Sequence, residues 1–195
     1  MIRAAAVALS MLWAKNGVIQ NEDTETYQYG LELLLSTTVN IAVMLGLSIA
    51  IGHVWLCIPY LAAFVPLRLS AGGYHAKHHL SCILFNAALY FASLIAVNTL
   101  STSAAILACI LESCFSFAVI FLFAPVPAKN KPLSAREQKR NRCVSLALGF
   151  LLLILCVIFY NTHVLSLAWC KMLYCGQAAA TILLILGKIT TATNC

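Results

Sequence analysis

Long apolar runs, several of them close to 20 residues, alternate with short polar segments along most of the sequence. A helix of about 20 apolar residues crosses the roughly 30 Å hydrocarbon core of a bilayer. The chain is 62% hydrophobic and only 9% charged, whereas a soluble domain has about a quarter of its residues charged. The runs therefore predict an all-α polytopic membrane protein, with residues 1–195 forming a single membrane domain, and they exclude a soluble globular fold.

About six transmembrane helices account for these runs, with one further helix before them. Residues 2–19 are predicted to form an amphipathic interfacial helix and not a cleaved signal, because Trp13 and Lys15 occupy positions where small cleavage-site residues would be needed. One run is short and contains Pro59 and Pro66, so it either crosses as a kinked helix or re-enters. The predicted spans are 31–52, 54–67, 80–100, 103–124, 143–160 and 172–190.

Basic residues are unevenly distributed between the segments that connect these spans. Segments 68–79 and 125–142 are basic, whereas 98–104 has no charged residue and 161–171 contains only Lys171. Positively charged segments remain in the cytoplasm when a membrane protein inserts. Six crossings with both termini in the cytoplasm place both basic segments on that side, so we expect this topology.

Half of the twelve Lys and Arg residues lie in the segment 125–142. Basic residues next to hydrophobic spans bind anionic lipid headgroups or an acidic peptide, and both interpretations stay open here, whereas nucleic acid is not an expected partner. The residues are Lys129, Lys131, Arg136, Lys139, Arg140 and Arg142.

Residues 68–82 combine a Gly-Gly pair, three histidines and a cysteine at the start of an apolar run. Cys82 is predicted to lie in the first turns of a helix, where the helix dipole favours a thiolate. A thiolate beside an imidazole is the minimum requirement for acyl transfer by a cysteine. The segment therefore suggests nucleophilic catalysis at Cys82.

The spacing alone does not decide which histidine assists Cys82. His78 and His79 lie within one helical turn of it, whereas His75 reaches it only if the glycine pair folds the chain back. Two other interpretations remain: a metal site, or interfacial polar side chains with the cysteine as an apolar filler. The nine cysteines form no CxxC motif and the histidine spacing matches no strong metal signature, so we predict neither a metal nor another cofactor.

Three blocks of this sequence resemble, in the same order, motifs of the accessory gene regulator protein B (AgrB) family. The blocks are Tyr27-x-Tyr29-Gly30-Leu31-Glu32, Arg68-x4-Gly73-Tyr74-His75-Ala76-x5-Cys82 and Ala124-Pro125-x4-Asn130-Lys131-Pro132-Leu133. The resemblance covers residues 25–145, and the last two spans are similar only in hydropathy. The chain length and the six-span pattern also fit this family.

The resemblance implies a membrane-embedded cysteine endopeptidase that processes an AgrD-like quorum-sensing precursor. Cys82 would be the nucleophile and His75 the general base, and Arg68 and Gly73 match positions that the family requires nearby. The enzyme would remove the precursor's C-terminal tail through an acyl-thioester on Cys82 and promote thiolactone or lactone formation. The resemblance also implies a homodimer in the cell membrane of a Gram-positive bacterium, with the active site on the cytoplasmic side.

Two more residues are candidates for a supporting role. Glu32 could orient His75, or its carboxylate could simply stabilise a helix N-terminus. Asn86, one turn beyond Cys82, could donate a hydrogen bond to an oxyanion or bond to a neighbouring helix. The alternative to an enzyme is a membrane transporter of peptides or metal ions, but we find no internal repeat of the kind that transporters contain.

Overall fold

A computed structural model describes residues 2–73, 79–99, 101–126, 134–162 and 166–192. All the secondary-structure elements assigned in these ranges are helices, which confirms the predicted all-α architecture. A 3-10 turn, Asn21–Asp23, precedes the second helix. The helices are α1 (Ile2–Lys15), α2 (Thr24–Ile51), α3 (Val54–Ala71), α4 (His79–Thr99), α5 (Thr102–Phe123), α6 (Ala135–Thr162) and α7 (Leu167–Ala192).

Within the described ranges, five helical segments are long and apolar enough to cross a membrane. They are Asn21–Ile51, Val54–Ala71, Leu80–Thr99, Ile106–Phe123 and Leu167–Thr190. The other predicted span, 143–160, lies within α6. The third helix is continuous through Pro59 and Pro66. Its 18 residues extend over about 27 Å, which is close to the thickness of the hydrocarbon core.

Two helices begin well before the apolar runs on which they were predicted. α2 begins at Thr24, whose hydroxyl donates to the carbonyl of Asn21 at 2.9 Å. α6 begins at Ala135 because Ser134 and Glu137 form a capping box: the Glu137 carboxylate accepts from the Ser134 amide at 3.0 Å, and the Ser134 hydroxyl accepts from the Glu137 amide at 3.3 Å. The first turns of α6 are thus polar, and the apolar span follows.

The N-terminal helix α1 packs against α2 through a face that includes Ala6 and Ser10. It ends at Lys15, and Gly17 with φ of 70° closes the turn that follows it. The large apolar side chains Leu9, Met11 and Leu12 are exposed. A helix with one face on the protein and exposed apolar side chains agrees with the predicted amphipathic segment.

The last helix, α7, lies at the centre of the bundle and packs against α3, α4 and α5. In the most apolar part of its span, 56% of the residues are buried, compared with 11% in the corresponding part of α2. Gly176 permits the close contact with α3, because a Cβ atom there would collide with the carbonyl oxygen of Tyr60. Small residues allow helices in a membrane to approach in this way. The packing of α3 on α7 therefore forms the centre of the bundle.

Hydrogen bonds between polar side chains link α5 to α7 inside the bundle. The Thr181 hydroxyl donates to the Ser116 hydroxyl at 2.8 Å, and Ser116 in turn donates to the carboxylate of Glu112. Elsewhere on α7, the ammonium group of Lys171 donates to the carbonyl of Val97 at 2.9 Å. Polar side chains inside a membrane bundle are costly unless they are bonded to one another or to the backbone. These bonds hold α7 to its neighbours.

Candidate active site

The chain leaves α3 through a compact turn that Arg68 stabilises. Its guanidinium Nη1 donates to the carbonyl of Gly72 at 2.7 Å. On the other side of the turn, the amide of Val126 donates to the carbonyl of Ala71 at 2.9 Å, and Gly72 pairs with Val126 in an isolated parallel bridge. The segment that follows α5 is thereby joined to the end of α3.

The two glycines of this turn are required by its backbone and its neighbours. Gly72 and Gly73 have φ of 74° and 122°, values that other residues rarely adopt. A Cβ atom on Gly72 would collide with the carbonyl oxygen of Val126. On Gly73 it would lie 2.6 Å from Nη1 of Arg68 and 2.7 Å from the carbonyl oxygen of Leu183. The glycine pair is thus part of a tightly packed turn, at the point where the sequence analysis considered a fold of the chain back toward Cys82.

A cavity of about 360 Å³ lies beside this turn, between α2, α3, α4 and the start of α6. Cys82, the fourth residue of α4 and half-buried, is in its wall. Each of the three blocks noted in the sequence contributes to the same wall: Tyr29 from the first block, Arg68 and Cys82 from the second, and Pro125 from the third. The fold therefore brings together three segments that are far apart in the chain.

The sulfur of Cys82 lies within hydrogen-bonding distance of an amide, and an arginine lines the same cavity. Asn86, one turn further along α4, places its Nδ2 at 3.6 Å from Sγ of Cys82, within hydrogen-bonding distance for sulfur. Arg68 interacts electrostatically with both Cys82 and Tyr29. A hydrogen-bond donor and a positively charged side chain in one cavity are groups that stabilise negative charge as it develops on a reacting substrate.

Asn40 on α2 also lines this cavity, although it belongs to none of the three sequence blocks. The Nδ2 atom of Asn86 donates to Oδ1 of Asn40 at 3.1 Å, so an amide–amide bond connects α4 to α2. Asn40 lies within a long apolar run. A polar side chain in the middle of such a run is a recognisable sign of an interior contact or a site.

The remaining predicted residues lie in different parts of the chain. Glu32 is half-buried and interacts electrostatically with Tyr29. Arg140 lines the cavity together with Glu137. On the first turns of α6, the predicted residues Arg136, Lys139 and Arg142 are exposed. Only the backbone of His79 is described. Four further predicted residues lie outside the described residues: His75, His78, Lys129 and Lys131.

The chain also matches a known protein family. The sequence matches the family described as Accessory gene regulator B over residues 8–186. The chain belongs to this family. The match to Accessory gene regulator B extends from α1 into α7, and so includes the last two helices, where the sequence motifs gave no information beyond hydropathy.

Three curated relatives, each named "Putative AgrB-like protein", come from Listeria species. Those of Listeria welshimeri, Listeria innocua and Listeria monocytogenes are 28%, 27% and 26% identical to this chain over 138 residues, which is 68% of this chain. The aligned stretch spans 65% of the length of each relative. No solved structure matches the chain.

Proposed function

We propose that this protein is a membrane-embedded cysteine endopeptidase that removes the C-terminal tail of a quorum-sensing signal precursor. One observation carries the proposal: the Cys82 sulfur lies in the wall of a cavity where all three of the sequence blocks meet, within hydrogen-bonding distance of the Asn86 amide and with Arg68 in the same wall. Membership of the Accessory gene regulator B family supports the same conclusion, since this family is associated with the processing of such precursors.

In the proposed reaction, the thiolate of Cys82 attacks the backbone carbonyl carbon on the N-terminal side of the tail. His75 accepts the thiol proton and then donates it to the leaving amine as the C–N bond breaks. The amide of Asn86 and the guanidinium of Arg68 stabilise the negative charge that develops during the attack. The tail leaves with a free amine, and the rest of the precursor remains on Cys82 as an acyl-thioester.

A nucleophile within the precursor itself completes the reaction. The thiol or hydroxyl of a precursor side chain attacks the thioester carbonyl, so that a thiolactone or lactone forms and the Cys82 thiol is regenerated. Exchange between two thioesters is nearly balanced in free energy, so exclusion of water and proximity of the internal nucleophile determine the outcome. A half-buried sulfur in a cavity between helices suits both conditions.

The charged rim of the cavity suggests how the precursor is held. Arg140 lines the cavity near Cys82, and three more basic side chains are exposed on the same helical turns. We propose that an acidic precursor tail, or anionic lipid around it, binds these residues on the cytoplasmic side of the cell membrane. The homodimer that the resemblance implies is part of the same proposal.

Coexpression with a candidate precursor tests the proposal. We expect the wild-type protein to shorten the precursor, and Cys82→Ala and His75→Ala each to reduce cleavage to background, because both groups act in every turnover. Cys143→Ala and His53→Ala are matched controls: the exposed Cys143 lies on α6, and His53 lies in the turn between α2 and α3. Both controls should cleave normally.

Cleavage that survives Cys82→Ala would contradict the proposed mechanism. A precursor that crosses the membrane uncut, equally with wild type and Cys82→Ala, would instead support the transport alternative. Mass spectrometry of the precursor in the cell and in the medium distinguishes these results.

A further inference from the structure

Three consecutive hydrogen bonds connect the backbone of α2 to the Cys82 sulfur. The Nδ2 atom of Asn40 donates to the carbonyl of Ser36 at 2.9 Å. Oδ1 of Asn40 then accepts from Nδ2 of Asn86 at 3.1 Å, and the same Nδ2 lies 3.6 Å from the Cys82 sulfur. Asn40 and Asn86 are buried, with 9% and 4% of their surfaces exposed.

The Ser36 carbonyl determines which way both amides face. A carbonyl oxygen only accepts hydrogen bonds, so Asn40 must turn its NH₂ group toward Ser36 and its oxygen toward α4. That oxygen also only accepts, so Asn86 must turn its NH₂ group toward Asn40 and hence toward the sulfur. The orientation of the second amide follows from that of the first.

Asn86 has no other described contact that would hold its amide in this orientation. Its Oδ1 atom is buried and has no hydrogen-bond partner among the described residues. If the amide turned over, this oxygen would face the Cys82 sulfur, where its partial negative charge would oppose a thiolate. The contact with Asn40 therefore decides whether Asn86 presents a donor or an acceptor to the nucleophile.

We propose that Asn40 is a positioning residue: through the Ser36–Asn40–Asn86 chain it keeps the NH₂ group of Asn86 directed at the Cys82 sulfur. The proposal deepens the function proposed above and rests on it for the role of Cys82 as nucleophile. Asn40 acts only through Asn86. If the bond between α2 and α4 were only structural, the effect of replacing Asn40 on Cys82 would not depend on the presence of Asn86.

The rate at which iodoacetamide alkylates Cys82 tests this proposal without any precursor. The full-length protein in detergent is treated for a series of times, and mass spectrometry follows the peptide that contains Cys82. The peptide with the exposed Cys143 in the same sample is the internal reference, since it reports general changes in the protein or the reagent. The reactive species is the thiolate, so loss of its hydrogen-bond donor slows alkylation.

The variants Asn40→Val and Asn40→Thr form a matched pair of similar shape. Valine removes both hydrogen bonds, and we expect the Cys82 rate to fall on the order of tenfold, as when a charged group loses a hydrogen bond. The threonine hydroxyl can donate to Ser36 and accept from Asn86, so the rate should stay within about threefold of wild type. Thr38→Val is a further control, because it removes a comparable 2.9 Å bond to the Leu34 carbonyl from an exposed site on the same helix.

A double variant distinguishes positioning from a structural effect. In an Asn86→Leu background, Asn40→Val should cause no further slowing at Cys82, because the donor is already absent. A wild-type rate in Asn40→Val would overturn the proposal, and so would equal slowing with and without Asn86. If Asn40→Val has no cooperative thermal transition, Asn40→Ala is judged by the same criteria. If the alkylation rates follow this pattern but the wild-type protein does not cleave the precursor, the result counts against the peptidase assignment and not against the positioning role of Asn40.

Discussion

Among single residues, Arg68 and Gly73 explain most directly why the turn after α3 has its shape. The Arg68 guanidinium donates to the Gly72 carbonyl. A side chain at position 73 would have no room between Arg68 and the backbone of α7, so this position is glycine. The same guanidinium also interacts with Cys82. The geometry of the turn and a positive charge in the wall of the Cys82 cavity therefore depend on one arginine.

Replacing Gly73 should disrupt this turn. In Gly73→Ala, a Cβ atom would meet Arg68 and Leu183 in a backbone conformation with φ of 122°. We expect the free energy of unfolding to fall by about 2 kcal/mol or more, as for other strained backbone positions, and alkylation of Cys82 to change as Arg68 is displaced. Thermal unfolding in detergent and labelling of the Cys82 peptide measure the two effects.

Gly46→Ala is the control for this substitution, because a Cβ atom at that position on α2 has nothing within 4 Å. It should be neutral or slightly stabilising, as alanine favours helix over glycine. Equal stabilities of the two variants would show that the turn tolerates a side chain.

The sequence predicted part of the candidate site, and the other part could not be predicted for physical reasons. Cys82, Arg68 and Gly73 were predicted because they lie in one short segment with a recognisable pattern. The contact between Asn40 and Asn86 joins residues 46 positions apart, and no local pattern indicates which two helices will meet. The proposed base His75 lies outside the described residues, so its approach to Cys82 stays a prediction.

Among the helices, α7 has the position that hydropathy predicts least well. Most of the apolar runs are long enough to cross a bilayer, but they are apolar on every face, and so their composition does not indicate which helix is central. The small residues around Gly176, followed by three consecutive alanines, were the available signal. The early start of α6 was also readable, from the Ser134 and Glu137 capping pair, although the apolar run began later.

Gly176→Ala should loosen the contact between α3 and α7. Its Cβ atom would collide with the backbone carbonyl of Tyr60, which cannot move without displacing α3. We expect a loss of about 1–3 kcal/mol in the free energy of unfolding, typical of overpacking. Thermal unfolding of the purified protein provides the measurement.

Gly149→Ala is a matched control on α6, since its Cβ atom would meet only the side chains of Ile120 and Phe117, at 3.3 Å. Those side chains can adjust, so the loss should be clearly smaller. A larger loss in Gly149→Ala than in Gly176→Ala would contradict the central position assigned to the α3–α7 contact.

For the whole molecule, the uneven distribution of basic residues predicts one orientation in the membrane. The basic first turns of α6 should lie in the cytoplasm, and Cys143 is exposed directly after them. A membrane-impermeant maleimide should therefore label Cys143 in inside-out vesicles but not in intact cells. Cys114 is exposed within the α5 span and should remain unlabelled from either side, because lipid surrounds it. Labelling of Cys143 in intact cells would contradict the predicted topology and indicate the opposite orientation.

The carbonyl of Leu183 against Gly73 has a consequence for biosynthesis. The ribosome makes α7 after every segment that lines the Cys82 cavity, so a growing chain can insert five or six helices while the turn beside this cavity still lacks one wall. The thiol would acquire its final surroundings only when translation has passed residue 183.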